Sequence, residues 1–256
     1  MAVHYETEGP VTVVTLDRPD VANAIDRPTA DELVAALRRF EVDDALSVAV
    51  LTGAGGTFCA GADLKAMREE GAPRASRVAA DGDGPVGPTR LLLAKPVIAA
   101  VEGHAVAGGL ELAAWCDLRV AADDAVFGVY CRRWGIPLMD GGTIRLARLL
   151  GHSHALDLIL TGRGVSGEEA LRMGLANRLV PPGQALPAAV ELARDLASRP
   201  QAALRSDRLS SYEQWSMSLA DALLREYEHG TATLQTGELF GGLESYASGE
   251  WRSGAA

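Results

Sequence analysis

The stretch AVAGGLELAAWCDL, residues 105–118, has a single ionisable residue among its first ten, Glu111, three residues beyond Gly108 in a run otherwise apolar enough for a protein core. A second glycine-rich turn, TGAGGTFCAGADL at 52–64, follows a β-branched run in the same way. Small residues at a helix start leave backbone N–H groups without internal partners, and such groups can point at a negative oxygen. Two of them converging on one carbonyl form an oxyanion hole, where loss of one donor typically costs about 10²–10³ in rate. Each turn is equally well read as a tight turn without a ligand. Neither is a nucleotide fingerprint: the first lacks the Lys-Ser/Thr ending of a phosphate loop, and the second lacks GxGxxG spacing and its later acid. Glu111 at a helix start also has an ordinary role, since a carboxylate there gains about 0.3–1 kcal/mol from the helix dipole.

Other reactive side chains carry plainer readings. Cys59, Cys116 and Cys131 are odd in number, far apart and never in a CxxC pair, so neither a disulfide framework nor a Cys-based metal site is supported. Cys131 has no base named for it and reads as a buried, inert thiol. His152 and His154 form an HxH pair that a helix splays apart, so no metal is assigned. His104 reads as a satisfied core histidine. Asp140 precedes GGTIRL and suits an N-cap, worth about 1 kcal/mol, which would depress its pKa. Arg132 and Arg133 offer either a basic rim for phosphates or a solvated surface, and Trp134 and Met139 either pocket walls or core packing.

The elements that must position these residues alternate between strand and helix. VTVVTL (11–16) and SVAVLTG (47–53) read as strands, and PTADELVAALRRFEVDD (28–44) between them as an amphipathic helix, making a βαβ unit. KPVIAAVEG (95–103), DLRVAA (117–122) and AVFGV (125–129) read as further strands, and GGTIRLARLLG (141–151) as a helix ending at Gly151. The fold class is therefore α/β. Residues 70–88 are rich in Gly, Pro and Asp and read as a mobile surface loop. Beyond about Pro182 only helices are expected, at 184–200, 201–215 and 218–236, followed by a frayed tail at 245–256. No short-period repeat is evident.

With 256 residues, 48% of them hydrophobic, the chain suits one soluble α/β unit, or a core with a small appendage. Its 34 acidic against 24 basic residues give a net charge of −10, spread along the chain, which argues against bulk nucleic-acid binding. No apolar run reaches bilayer length, and MAVHYETEGP has no basic segment followed by an apolar one, so a cytoplasmic protein without membrane partners is expected.

FCAGADL (58–64), the long run KPVIAAVEGHAVAGGLELAAWCDLRVAADDAVFG (95–128), GGTIRLARLLG, LILTGRGVSGEEALRMGLANRLVP (158–181) and EHGTATLQTGE (228–238) together resemble the crotonase, or enoyl-CoA hydratase/isomerase, superfamily. The match covers nearly the whole chain in order. The resemblance implies a crotonase-like spiral of ββα turns over residues 1–195. It implies a helical C-terminal segment over 196–256 that packs the protein into homotrimers, often paired into hexamers. It implies an acyl-CoA thioester substrate, with coenzyme A as part of that substrate and no other cofactor. Residue by residue, it implies backbone oxyanion donors at Ala62 and Gly108 and a catalytic acid/base at Glu111. Asn23, Ala24, Ile25, Ala60, Asp63 and Leu64 match positions that line coenzyme A, and Cys131, Trp134 and Met139 fall where an acyl pocket lies.

The pattern breaks at one point. Family hydratases divide water activation and proton delivery between two glutamates, and the second falls at position 131, where this chain has cysteine. Asp140 is the nearest compensating acid, in a turn where some relatives hold a catalytic aspartate, offset by one residue. The leading expectation is a hydratase-type lyase using Glu111 and Asp140, with burial raising the pKa of one carboxyl and leaving the other ionised. The alternatives are a single-acid member (isomerase, thioesterase or decarboxylase) and a non-catalytic acyl-CoA-binding protein.

Overall fold

In a computed structural model, residues 1–68 and 75–248 are described. The chain divides into two compact units between Arg194 and Asp195. The first contains β1 (Val3–Glu8), β2 (Val11–Leu16), α1 (Arg27–Val42), β3 (Val48–Gly53), α2 (Leu64–Arg68), β4 (Val97–Val101), β5 (His104–Val106) and α3 (Gly108–Trp115). It continues through β6 (Leu118–Ala122), β7 (Val126–Gly128), α4 (Gly142–Leu150), α5 (His152–Thr161), β8 (Gly164–Ser166), α6 (Gly167–Met173) and β9 (Arg178–Val180). The boundary falls within α7 (Ala185–Ser198), and the second unit goes on to α8 (Gln201–Glu213), α9 (Leu219–Gln235) and α10 (Glu238–Ser248).

The expected βαβ unit forms. β2 and β3 pair in parallel, Val11 opposite Val48, with α1 crossing between them. The Asp26 side chain caps α1 by accepting the Thr29 N–H at 3.0 Å, and Leu33, Leu37 and Phe40 bury one helical face. β3 and β4 are buried along nearly their whole lengths, as parallel strands covered on both faces must be. The large sheet runs β1-β2-β3-β4-β6-β9, parallel except for the β1–β2 hairpin, and a small sheet runs β5-β7-β8.

A repeat is present, although none is evident in the residues. From four strands of the large sheet the chain steps into a second layer and then enters a helix: β2, Ile25, α1; β3, Cys59 to Ala62, α2; β4, β5, α3; β6, β7, α4. Successive second-layer steps touch, Ile25 with Ala62, Cys59 with Ala105, and β5 with β7. This spiral recurs in geometry rather than in residue identity. The step from β4 to β5 needs Gly103, at φ +52°, where a Cβ would lie 2.3 Å from the Gly56 carbonyl oxygen.

Two expectations change. β1 was not anticipated: VHYETE is an edge strand whose polar residues are mostly exposed. The loop expected at 70–88 is irregular over its described part, 75–88, but it is not simply a surface segment. Gly84 and Gly87 exchange N–H···O bonds at 2.8 and 3.0 Å, and Val86, Pro88 and Thr89 are buried. Residues 69–74 lie outside the described residues, as do 249–256; the expected frayed tail is helical up to Ser248 in α10.

In the second unit, α8 packs along α9, and the Glu238 carboxylate accepts the N–H groups of Ala202 and Ala203 at the start of α8. Among the described residues no helix is long and apolar enough to cross a membrane.

Candidate active site

Two turns of the spiral meet at their small residues. Ile25 donates to the Gly61 carbonyl and accepts from the Asp63 N–H, which turns the N–H of Ala62 between them the other way. Ala107, at φ 52° and ψ −125°, takes the first corner of a type II′ turn, a conformation costing a non-glycine residue about 1–3 kcal/mol. Gly108 then opens α3 with its N–H facing out of the helix. Neither Ala62 nor Gly108 donates its N–H within the described protein. The two backbones are in contact: a Cβ on Gly61 would sit 2.7 Å from Gly108 N, and one on Gly108 would sit 3.5 Å from Ala62 N. Both residues line one cavity of about 470 Å³, which Glu111 and Asp140 also line.

Glu111 lies one turn into α3 and is 3% exposed. Its Oε1 accepts the N–H of Asp140 at 2.9 Å and of Gly142 at 2.8 Å. Burial, reinforced by the charge of Asp140, pushes its pKa up to about 7 against the pull of those donors and of Arg145. Asp140 is equally buried, and its Oδ1 accepts the Thr89 hydroxyl at 2.5 Å and the Val86 N–H at 3.2 Å. Burial raises its pKa as well, opposed by Thr89, Val86, Arg90 and Arg145.

Two readings of these acids are corrected. Asp140 does not cap α4: the N-cap is Gly141 in the left-handed region, and Glu111, from the neighbouring helix, accepts the free N–H groups there. Its pKa is therefore raised rather than depressed. Nor does burial single out one carboxyl, because both are enclosed and both shift upward.

Of the residues matched to coenzyme A, Ala24, Ala60, Asp63 and Leu64 line the cavity and Asn23 and Ile25 do not. The Asn23 amide is consumed inside the protein, donating to the carbonyls of Ala54 at 2.9 Å and Thr57 at 2.6 Å and accepting the Arg18 N–H at 2.8 Å. Ile25 is core. Asp63, although at the cavity wall, accepts the N–H groups of Lys65 and Ala66 and pairs with Arg18 at 2.9 Å.

Cys131, Trp134 and Met139 all line the cavity. Cys131 is buried, and its thiol pKa is pushed up by burial and then by Glu111, which suits an inert thiol. Trp134 is 66% exposed, so core packing does not describe it. Arg133 lines the cavity and lies over the Tyr130 ring at 3.7 Å, whereas Arg132 donates to the Ile159 carbonyl. His104 is exposed, against the core reading, and so are His152 and His154. Among the described residues no group of three His, Cys, Asp or Glu could hold a metal ion.

Thr89, Val86 and Arg145 were missed by sequence reasoning. The first two sit in GPVGPT (84–89), whose composition marks a loop and nothing more. The need for glycine at 84 shows only in the structure, where a Cβ there would lie 2.1 Å from Thr89 Oγ1 and 2.4 Å from Asp140 Oδ1.

The architecture superposes on solved structures of acyl-CoA enzymes. Enoyl-CoA hydratase EchA1 from Mycobacterium marinum matches with a TM-score of 0.90 and 35% identity, covering 96% of each chain. Among relatives by sequence, enoyl-CoA hydratase EchA19 of Mycobacterium tuberculosis is 40% identical over 79% of each protein. Carnitinyl-CoA dehydratase of Proteus mirabilis is 42% identical over 77% of this chain and 75% of its own length. Residues 6–250 match the family described as enoyl-CoA hydratase/isomerase, and the chain belongs to it.

Proposed function

We propose that this hydratase-type enzyme adds water across the α,β double bond of an enoyl-CoA thioester, and removes it in reverse, using Glu111 and Asp140 as its proton-carrying pair. The observation that carries this reading is the meeting of two unspent N–H groups, from Ala62 and Gly108, at a cavity holding two buried carboxyls. Each carboxyl has one oxygen held by two donors, leaving Glu111 Oε2 and Asp140 Oδ2 for chemistry.

The thioester oxygen accepts both N–H groups, so the charge that develops on it during addition is met by preorganised donors. We assign Asp140 as the carboxylate: burial raises its pKa, but Thr89, Val86, Arg90 and Arg145 all favour its anion. It takes a proton from water as the water oxygen bonds to Cβ, and the π electrons move to the thioester oxygen as an enolate. Glu111, which holds its proton up to about pH 7, delivers it to Cα as the enolate collapses. The net change is one water across the double bond, and the pair resets by passing one proton from Asp140 back to Glu111.

Coenzyme A enters as part of the substrate, along the wall formed by Ala24, Ala60 and Leu64, and no separate cofactor takes part. Cys131, Trp134 and Met139 wall the acyl group. Residues 196–256 form a trimerisation segment, which the exposed apolar side chains of α9 and α10, Leu223, Leu224, Tyr227, Phe240 and Leu243 among them, support. The protein works as a homotrimer, or dimer of trimers, in the cytoplasm. Sedimentation at micromolar concentration tests the assembly, and a monomer would rule it out. Activity is tested by following the enoyl-thioester absorbance of crotonyl-CoA and longer enoyl-CoAs between pH 6 and 9. Loss of absorbance is expected; none on any chain length overturns the reading.

A further inference from the structure

Thr89 does not line the cavity, yet it is 1% exposed and its hydroxyl meets Asp140 Oδ1 at 2.5 Å. Several features hold that contact in place. Arg145 bridges the two backbones, donating to the Asp140 carbonyl at 2.8 Å and to the Thr89 carbonyl at 2.6 Å. The Gly84–Gly87 turn closes over the hydrogen bond, with Gly84 so near both oxygens that no side chain fits between. Val86 in that turn adds its N–H to the same Oδ1, while its Cγ1 lies 2.8 Å from where a Cβ on Gly108 would be. The segment thus touches both the acid and the carbonyl-binding turn.

We infer that Thr89 is a positioning residue for Asp140: its hydroxyl occupies Oδ1, fixes the rotation of the carboxyl and leaves Oδ2 as the oxygen that faces water and substrate. The inference rests on the hydratase reading above for its catalytic consequence, but the contact itself does not. A hydroxyl donated to the ionised carboxyl favours the anion, so its loss moves Asp140 toward protonation. The other groups facing Asp140 are Glu111 from α3, Arg145 from α4, Arg90 beside Thr89 and the Cys59 thiol after β3. None of these is altered by the substitutions below.

The test compares Thr89→Val, which keeps the shape and removes the donor, with Thr89→Ser, which keeps the donor. Two readouts are taken on the full chain: the pH dependence of kcat on an enoyl-CoA, and a carboxyl ¹³C titration of Asp140, its signal identified by its loss in Asp140→Asn. For Thr89→Val, kcat falls about tenfold or more with KM within about twofold. The acid limb of the kcat profile and the carboxyl titration both move up by about one pH unit. Thr89→Ser restores both. An unmoved titration and limb in Thr89→Val, or a serine variant as impaired as the valine, overturns the inference. If Thr89→Val does not fold, Thr89→Ala is read by the same criteria. If the wild type turns over no enoyl-CoA, the hydratase reading fails while the titration still decides the role of Thr89.

Discussion

The Oε1 of Glu111 accepts the backbone N–H of Asp140 at 2.9 Å, so one acid of the site is oriented by the main chain of the residue that carries the other. Glu111 also takes the N–H of Gly142, and in doing so supplies the cap that α4 otherwise lacks. The two carboxyls therefore move as one body: displacing α4 displaces Asp140 and releases Glu111 together.

Glu111→Gln separates these roles. The glutamine Oε1 can accept the same N–H pair, so the fold is retained, while proton delivery to Cα is lost. The expected outcome is a fall in kcat of about 10²–10⁴ with KM little changed, measured on the enoyl-CoA that the wild type turns over best. A variant within threefold of the wild type would remove Glu111 from the chemistry.

Asp140→Asn tests whether two acids are used. An enzyme relying on both should lose kcat by about two orders of magnitude or more, whereas one relying on Glu111 alone should barely change. The substitution also removes the anion that, after burial, most strongly raises the Glu111 pKa, so the Glu111 titration should fall below about 7. A carboxyl ¹³C titration of Glu111 checks that direction independently of turnover.

Much of this site could be read from the chain alone, and the part that could not has a physical reason. The strands around β3, β4 and β6 announce themselves by β-branched runs, and the two glycine turns by their lack of side chains. Such signals are local. Thr89 and Asp140 are 51 positions apart, and their contact depends on Gly84 letting the chain pass over it. The cap reading of Asp140, one of the two left open for it, fails for the same reason: the residue before a helix is the local candidate, and an acceptor reaching across from α3 leaves no mark near position 140. Asn23 sits beside Ala24 in sequence, but its left-handed backbone, φ 56°, turns its amide away from the cavity toward the Ala54 and Thr57 carbonyls.

The two glycines that open α3 should respond differently to a methyl group. On Gly109 it would lie 2.1 Å from the Cys59 carbonyl oxygen, a backbone atom held in the second layer, so Gly109→Ala should cost at least about 1–3 kcal/mol of stability. On Gly108 the nearest atom is Val86 Cγ1 at 2.8 Å, a side chain that can yield. Gly108→Ala should fold and instead lose kcat/KM by about tenfold or more, because the methyl crowds the carbonyl position beside Ala62 N. Urea unfolding and kcat/KM measured on both variants check the split; equal stability loss in the two would contradict it.

The raised pKa of Glu111 also predicts how stability depends on pH. An unfolded glutamate titrates near 4.5 and the folded one near 7, so between these values the folded protein binds more protons than the unfolded chain. The stabilisation is fully present below about pH 4.5 and is lost as pH rises through 7, a loss of about 3 kcal/mol by pH 8 for this one group. Asp140, shifted in the same direction, adds to the slope. Glu111→Gln abolishes the Glu111 contribution while keeping its hydrogen bonds, so the variant should be more stable than the wild type at pH 8 and close to it at pH 5. Urea midpoints at the two pH values, taken at fixed protein concentration, decide this. A wild type more stable than the glutamine variant at pH 8 would mean that the ionised carboxylate is welcome in its site, and the proton-donor role for Glu111 would fall with it.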